Sequence, residues 1–184
     1  MNMRKILILF YFFIMNSSNV HANTINEQLN KLFDDLKISS ESSSFLIEQK
    51  IWKLWSTHPK DEKLTTLLAE GSAAVNNNQL TDAINIFTKV IELDPNWAEA
   101  WNKRATVFYL VGQFQKSQDD IDKVLNLEKR HFGALAGQGL VNIQLKNFEK
   151  AIKSYQKALE IYPSMRSPEI MIKEIEALIK QELI

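Results

Sequence analysis

Two histidines, His58 and His131, and a tight run of acids, Asp119, Asp120 and Asp122, are the side chains of this 184-residue chain best suited to metal binding or proton transfer. The histidines lie 73 residues apart, and neither has a second histidine at ligand spacing. His131, in the turn-like stretch Lys129-Arg130-His131-Phe132, is read as a packing or capping residue. The aspartates sit beside Lys116 and Lys123 at helical spacing, which predicts a solvated, convex surface of ion pairs. Paired carboxylates for acid–base catalysis need a pocket that holds their pKa values apart, and nothing in the sequence indicates one. No glycine-rich phosphate loop, nucleophile elbow or helix of paired zinc ligands is present. Without cysteine there is no disulfide, thiolate metal site or catalytic thiol. Equal numbers of basic and acidic side chains, 22 each, remove counterion release as a drive toward nucleic acid. The chain therefore reads as non-catalytic, without metal or cofactor, and its work as binding.

Residues 1–22 read as an address. Arg4 and Lys5 precede an apolar run from Ile6 to Met15, and a polar stretch leads to Val20-His21-Ala22. That order of parts is a secretory signal, with the expected cut after Ala22. The run is too short for a membrane span, which takes about 20 apolar residues. The mature chain is expected in the periplasm or secreted, with no stable membrane insertion.

The elements that must position any functional side chain are helical. Few glycines and prolines disfavour an all-β fold, and the chain repeats itself every 34 residues over 64–97, 98–131 and 132–165. The eighth positions of the copies are Gly71, Ala105 and Gly139; the twentieth are Ala83, Ser117 and Ala151. The twenty-fourth are Phe87, Ile121 and Tyr155. Within copies the apolar residues recur at helical spacing, as in Ile84, Phe87, Val90 and Ile91. Breaks at Asn76-Asn77-Asn78, Gly112-Gln113 and Lys146-Asn147 split each copy into two helices. Asn96, with Glu99 three residues on, reads as a capping box for the second copy. Ser167-Pro168 reads as the start of a terminal helix whose apolar stripe is Ile170, Met171, Ile175, Leu178 and Ile179. Ahead of the copies, Ile25–Ile38 and Phe45–Trp55 read as helices joined by the loop Ser39–Ser44. Trp52 and Trp55 share a face of the second, which either docks on the first copy or forms a self-association patch.

This pattern resembles the tetratricopeptide repeat (TPR) family over about 102 residues. Trp101 and Phe108 match family positions, whereas Leu67, Leu135, Ala74, Asn142 and Lys129 depart from them. The text Trp101-Asn102-Lys103-Arg104-Ala105-Thr106 looks like small exported members from α-proteobacteria. The resemblance implies an all-α, right-handed α-solenoid of stacked antiparallel helix pairs. Residues 166–184 would be the capping helix, and 23–63 an N-terminal helical segment, with a degenerate fourth repeat as one form of it. It also implies a concave groove lined by the first helix of each copy. The lining would be Thr65, Leu68, Ser72 and Val75, then Glu99, Asn102, Thr106 and Tyr109, then Gly133, Ala136, Leu140 and Ile143. At the offsets where one subclass grips a terminal carboxylate stand Leu68, Ser72, Lys103, Gly133 and Gly137. Only Lys103 is basic, so that mode is not expected. Gly133 and Gly137 weaken a helix interior and imply a close approach there, by a neighbouring helix or by a partner's backbone. The implied function is a protein-interaction adaptor or scaffold holding a protein or peptide. A self-associating envelope protein, and hence a homo-oligomer, is the alternative.

Overall fold

The computed structural model describes residues 25–182. The signal expected at residues 1–22 lies outside them. Among the described residues there are nine helices and no strand: α1 (25–38), α2 (Glu41–Trp55), α3 (Glu62–Asn76), α4 (Leu80–Leu93), α5 (Ala98–Leu110), α6 (Phe114–Leu127), α7 (Phe132–Gln144), α8 (Phe148–Ile161) and α9 (Arg166–Glu182). The three 34-residue copies are the helix pairs α3–α4, α5–α6 and α7–α8, stacked in order into an all-α solenoid.

One backbone device turns the chain inside each copy. Asn78, Gly112 and Lys146, equivalent residues, have φ of 59°, 73° and 58°. The next N–H in each case bonds back to the helix: Gln79 to Ala74, Gln113 to Phe108 and Asn147 to Asn142. This is the Schellman ending, in which a left-handed residue satisfies the last carbonyls. Lys146 adopts it without the freedom of Gly112.

Small residues at the eighth position let the two helices of a copy meet. A Cβ on Gly71 would lie 2.5 Å from the Phe87 ring, and one on Gly139 would lie 2.4 Å from that of Tyr155. In the middle copy Ser117 Oγ donates to the Ala105 carbonyl at 2.8 Å. Each ring therefore fills the room its partner's missing side chain leaves.

Four expectations about the helix ends change. Trp97, not Asn96, is the N-cap of α5, and Glu99 accepts from His131, the N-cap of α7, instead of capping its own helix. The terminal helix begins at Arg166, so Ser167 and Pro168 stand inside its first turn, where a missing N–H costs little. It does cover α8: Ile175 is buried with Ala151 and Tyr155, and Met171, Ile172 and Ile179 pack around them. Ile170 and Leu178 of the expected stripe are instead exposed. At the other end, the loop expected over Ser39–Ser44 shrinks to Ser39 and Ser40, because Ser40 is the N-cap of α2 and its carbonyl accepts the N–H groups of Ser43 and Ser44.

The largest correction concerns α1 and α2. A fourth repeat would stack ahead of α3; instead this hairpin lies across the copies. Leu29, Phe33, Leu36, Ile51 and Trp55 form one buried cluster with Phe132 and Tyr162 of the third copy. Tyr162 Oη donates toward Glu48 at 3.1 Å, and Arg166 pairs with Glu41. Arg130 donates to Asn30 at 2.7 Å and lies over the Phe33 ring. At the far end Trp97 Nε1 donates to the Trp55 carbonyl at 2.8 Å. Trp55 is buried and Trp52 half-buried, both against His131 and Phe132. Neither docking on the first copy alone nor an exposed tryptophan patch describes them.

Candidate binding groove

His58 and His131 are both structural, and their partners fix their tautomers. His131 is the N-cap of α7: its Nδ1 accepts the Ala134 N–H at 3.0 Å, so Nε2 carries the proton and donates to Glu99 Oε2 at 3.1 Å. The ring is fully buried and stacks on Trp55 at 4.0 Å with a 7° tilt. Glu99 also accepts from Asn102 at 3.1 Å, and its other oxygen has Lys103 Nζ 3.4 Å away, an ion contact longer than a good hydrogen bond. His58 repeats the arrangement. Its Nδ1 accepts from the N–H groups of Lys60 and Asp61, and Nε2 donates to Asp94 at 2.8 Å. Neither ring has a nitrogen left for a metal.

This network and the hairpin cover part of the lining expected of the groove. Thr65 is half-buried and its Oγ1 accepts the His58 N–H; Glu99 is buried on His131; and Trp52 covers Gly133, where a Cβ would come within 2.6 Å of the indole. Leu68 and Asn102 are buried too, Leu68 in the core of the first copy and Asn102 on Glu99. These five residues are not a free surface. The helix face carrying them is closed by the chain itself, which spacing within the repeats does not reveal.

The rest of the groove is open. Thr106 and Leu140 are exposed, while Ser72, Val75, Tyr109, Ala136 and Ile143 are half-buried. Between α5 and α7 a small cavity of about 70 Å³ draws together Asn102, Thr106, Tyr109, Gly133 and Leu140 with Gly137. The two groove glycines thus have different reasons. Gly133 makes room for Trp52, whereas a Cβ on Gly137 would meet only Ile121 Cδ1, at an ordinary 3.7 Å. Tyr109 is held by Phe114, with ring centroids 5.5 Å apart.

On the other side of the middle copy the acidic cluster divides. Asp119 and Asp122 are exposed and accept from Gln115 and Gln118, one turn away. Asp120 is buried and accepts two hydrogen bonds from Arg104, each 2.8 Å. Arg104 also donates to Thr88 and lies over the rings of Trp101 and Phe108. Asp120 is therefore a buried anchor and not part of a solvated face. Its partner lies 16 residues away, on the other helix of the copy, beyond the reach of i,i+4 reasoning. Glu128 makes a similar fork to Arg130. Burial pushes its carboxyl up, but the Arg130 hydrogen bonds and charge outweigh this and hold it below the usual range.

Stacked helix pairs with a half-open groove, and charged side chains spent on holding the copies together, define a helical-repeat scaffold of the recognition kind. The chain belongs to the tetratricopeptide repeat family. Tetratricopeptide repeat models match residues 68–117 and 133–165. A TPR repeat-containing protein of Rhizobium etli is 31% identical over 147 residues, 79% of this chain and 72% of that protein. The small glutamine-rich tetratricopeptide repeat-containing protein 2 of Mycosarcoma maydis is 30% identical over 58% of this chain, which spans 31% of its length. Among solved structures, the first TPR of Spaghetti (RPAP3), bound to the HSP90 peptide SRMEEVD, aligns with a TM-score of 0.63 and 21% identity. That match covers 65% of this chain and 94% of that one. The Yersinia enterocolitica secretion chaperone SycD, in complex with a peptide of YopD, aligns with a TM-score of 0.60 and 12% identity over 64% of this chain and 95% of its own. At those identities the likeness is one of fold.

Proposed function

We propose that this protein is a non-catalytic adaptor of the periplasm or cell exterior that holds an extended segment of a partner protein in the open half of its groove. The observation that carries this reading is Gly137. In a helix interior glycine costs about 0.5–1 kcal/mol relative to alanine, and no neighbouring helix needs the space. A partner's backbone approaching α7 between Thr106 and Leu140 would use it. The peptides held by RPAP3 and SycD support a segment as the bound form. A carboxylate-gripping mode is not supported, since Lys103 is engaged with Glu99. The location rests on residues 1–22.

The test is capture of a partner from envelope extract by the purified protein. Thr106→Glu with Leu140→Glu places two charges on the open half, at positions no core cluster uses. The loss of captured partner should be about 30-fold or more, with an unchanged melting curve. Undiminished capture overturns the groove reading. Intact mass of the protein from its native compartment should begin at Asn23; retained residues 1–22 would overturn the location.

A further inference from the structure

The two junctions between successive copies are chemically unlike. Residues 34 apart are equivalent, so the second junction can be compared with the first place by place. At the first, Arg104 fills the gap, bonded to Asp120 and Thr88 and resting against Phe108. At the second, the places of Arg104, Asp120 and Phe108 are taken by Gln138, Ser154 and Asn142. All three are shorter. The space they release is a cleft of about 420 Å³ between α6 and α8, with the buried Asn142 and Ser154 at its floor.

The floor is a connected set of hydrogen bonds. Gln118 donates to Asp122 Oδ1 at 2.8 Å, and Gln138 Nε2 lies 3.5 Å from the same oxygen, longer than a good hydrogen bond. Asn142 Nδ2 donates to Gln118 Oε1 at 3.3 Å, and the one Ser154 hydroxyl proton is shared between Gln138 Oε1 and the Lys150 carbonyl, each 2.9 Å away. These bonds hold the amides in place, and each amide keeps donor or acceptor capacity to spare. Asp122, the one carboxylate in the lining, accepts from Gln118 on Oδ1 and is outnumbered by the three lysines of the rim.

The rim is cationic. Lys150, Lys153 and Lys157 line the cleft from α8, and at 1.5 Å per residue they span about 10 Å. Among the described residues none of them has a carboxylate within 4.0 Å, whereas Lys103, Arg104, Arg130, Arg166 and Lys173 all do. Asp119 holds the place of Lys153 at the first junction, so the second has reversed its charge there.

We propose that this cleft, separate from the groove between α5 and α7, binds a short extended acidic peptide segment. Its carboxylates pair with the lysine row, and its backbone hydrogen-bonds the amide floor. Same-face side chains of an extended chain repeat every ~6.6 Å, so acids at alternate positions fall along the ~10 Å row. The lining has no aromatic ring on which a nucleic-acid base would stack.

Fluorescence anisotropy of a labelled, end-capped Glu-Gly-Glu-Gly-Glu peptide on the purified protein tests this. Saturable binding should weaken about tenfold or more in Lys153→Ala with Lys157→Ala, both exposed. A second variant, Gln138→Arg with Asn142→Phe and Ser154→Asp, rebuilds the filling of the first junction and leaves the lysines in place. It too should lose binding, whereas Thr106→Glu with Leu140→Glu should not. No saturable binding, native-strength binding by either cleft variant, displacement of the peptide by equimolar inorganic phosphate, or tighter binding of a single-stranded oligonucleotide would each overturn the proposal.

Discussion

His131 donates a hydrogen bond from Nε2 to Glu99 Oε2 across 3.1 Å while its Nδ1 accepts the Ala134 N–H, so one ring ties the second copy to the third. With Trp55 stacked on it, the same ring ties both to the N-terminal hairpin.

Removing that ring should therefore cost far more than a surface cap. His131→Ala forfeits the cap, about 1 kcal/mol, and the hydrogen bond from a neutral ring to the buried Glu99 carboxylate, about 1.5–3 kcal/mol. A thermal melt should show a fall of several degrees or more. A melt within about 1 kcal/mol of the native protein would mean that Glu99 is satisfied without the ring.

Asp120→Ala should destabilise by about 3 kcal/mol or more, since it strands the largely buried Arg104 guanidinium. Asp119→Ala, one residue away on the exposed face, should stay within about 0.5 kcal/mol. Equal denaturation midpoints for the two would contradict the buried fork.

The helix glycines should separate just as sharply. Gly139→Ala drives a methyl into the Tyr155 ring and should cost about 1–3 kcal/mol. Gly137→Ala meets only ordinary contact and should stabilise by about 0.5–1 kcal/mol. If the groove holds a partner's backbone, the same methyl should weaken capture. A destabilised Gly137→Ala protein would show that the space is already used within the chain.

Tyr155 carries a buried hydroxyl with no hydrogen-bond partner among the described residues, and burial, then the Tyr109 and Glu174 charges, push its pKa up to about 12. An unfolded tyrosine ionises near 10, so the folded state keeps the proton longer. Its stability contribution is complete below pH 10 and declines as pH rises from 10 toward 12. Tyr155→Phe should raise stability by about 1 kcal/mol at neutral pH and flatten that decline. A destabilised phenylalanine variant would mean that the hydroxyl has a partner after all.

The repeat unit was legible because its rules are local. A 34-residue period, small residues at the eighth and twentieth positions and large apolar residues at the twenty-fourth are all readable within one copy, and the structure has each copy as a helix pair. What spacing could not show is which side chains on different helices meet. Glu99 had the offset of a groove residue and a capping box, yet it answers to a histidine 32 residues away. Asp120 had the periodicity of a surface residue, but Arg104 on the facing helix draws it inward. The path of α1 and α2 was equally hidden. Their amphipathic faces predicted helices but not which copy they would meet, since Tyr162 and Phe132 offer an apolar surface as good as that of the first copy.

The hairpin also changes how the array behaves as a folding system. In a plain solenoid each unit touches only its neighbours, so nucleation can begin anywhere and ends can fray independently. Here Arg130 grips Asn30 across 100 residues of sequence, and Tyr162 meets Ser44 across 118. Those contacts raise the contact order, and the loops must close before they repay their entropy. The clasp cannot form until the third copy exists, whether during synthesis or after refolding. Once formed, it makes loosening of any one copy a cost shared by all three. The array should melt as a single cooperative unit, and its slowest folding step should be the return of its own beginning to its end.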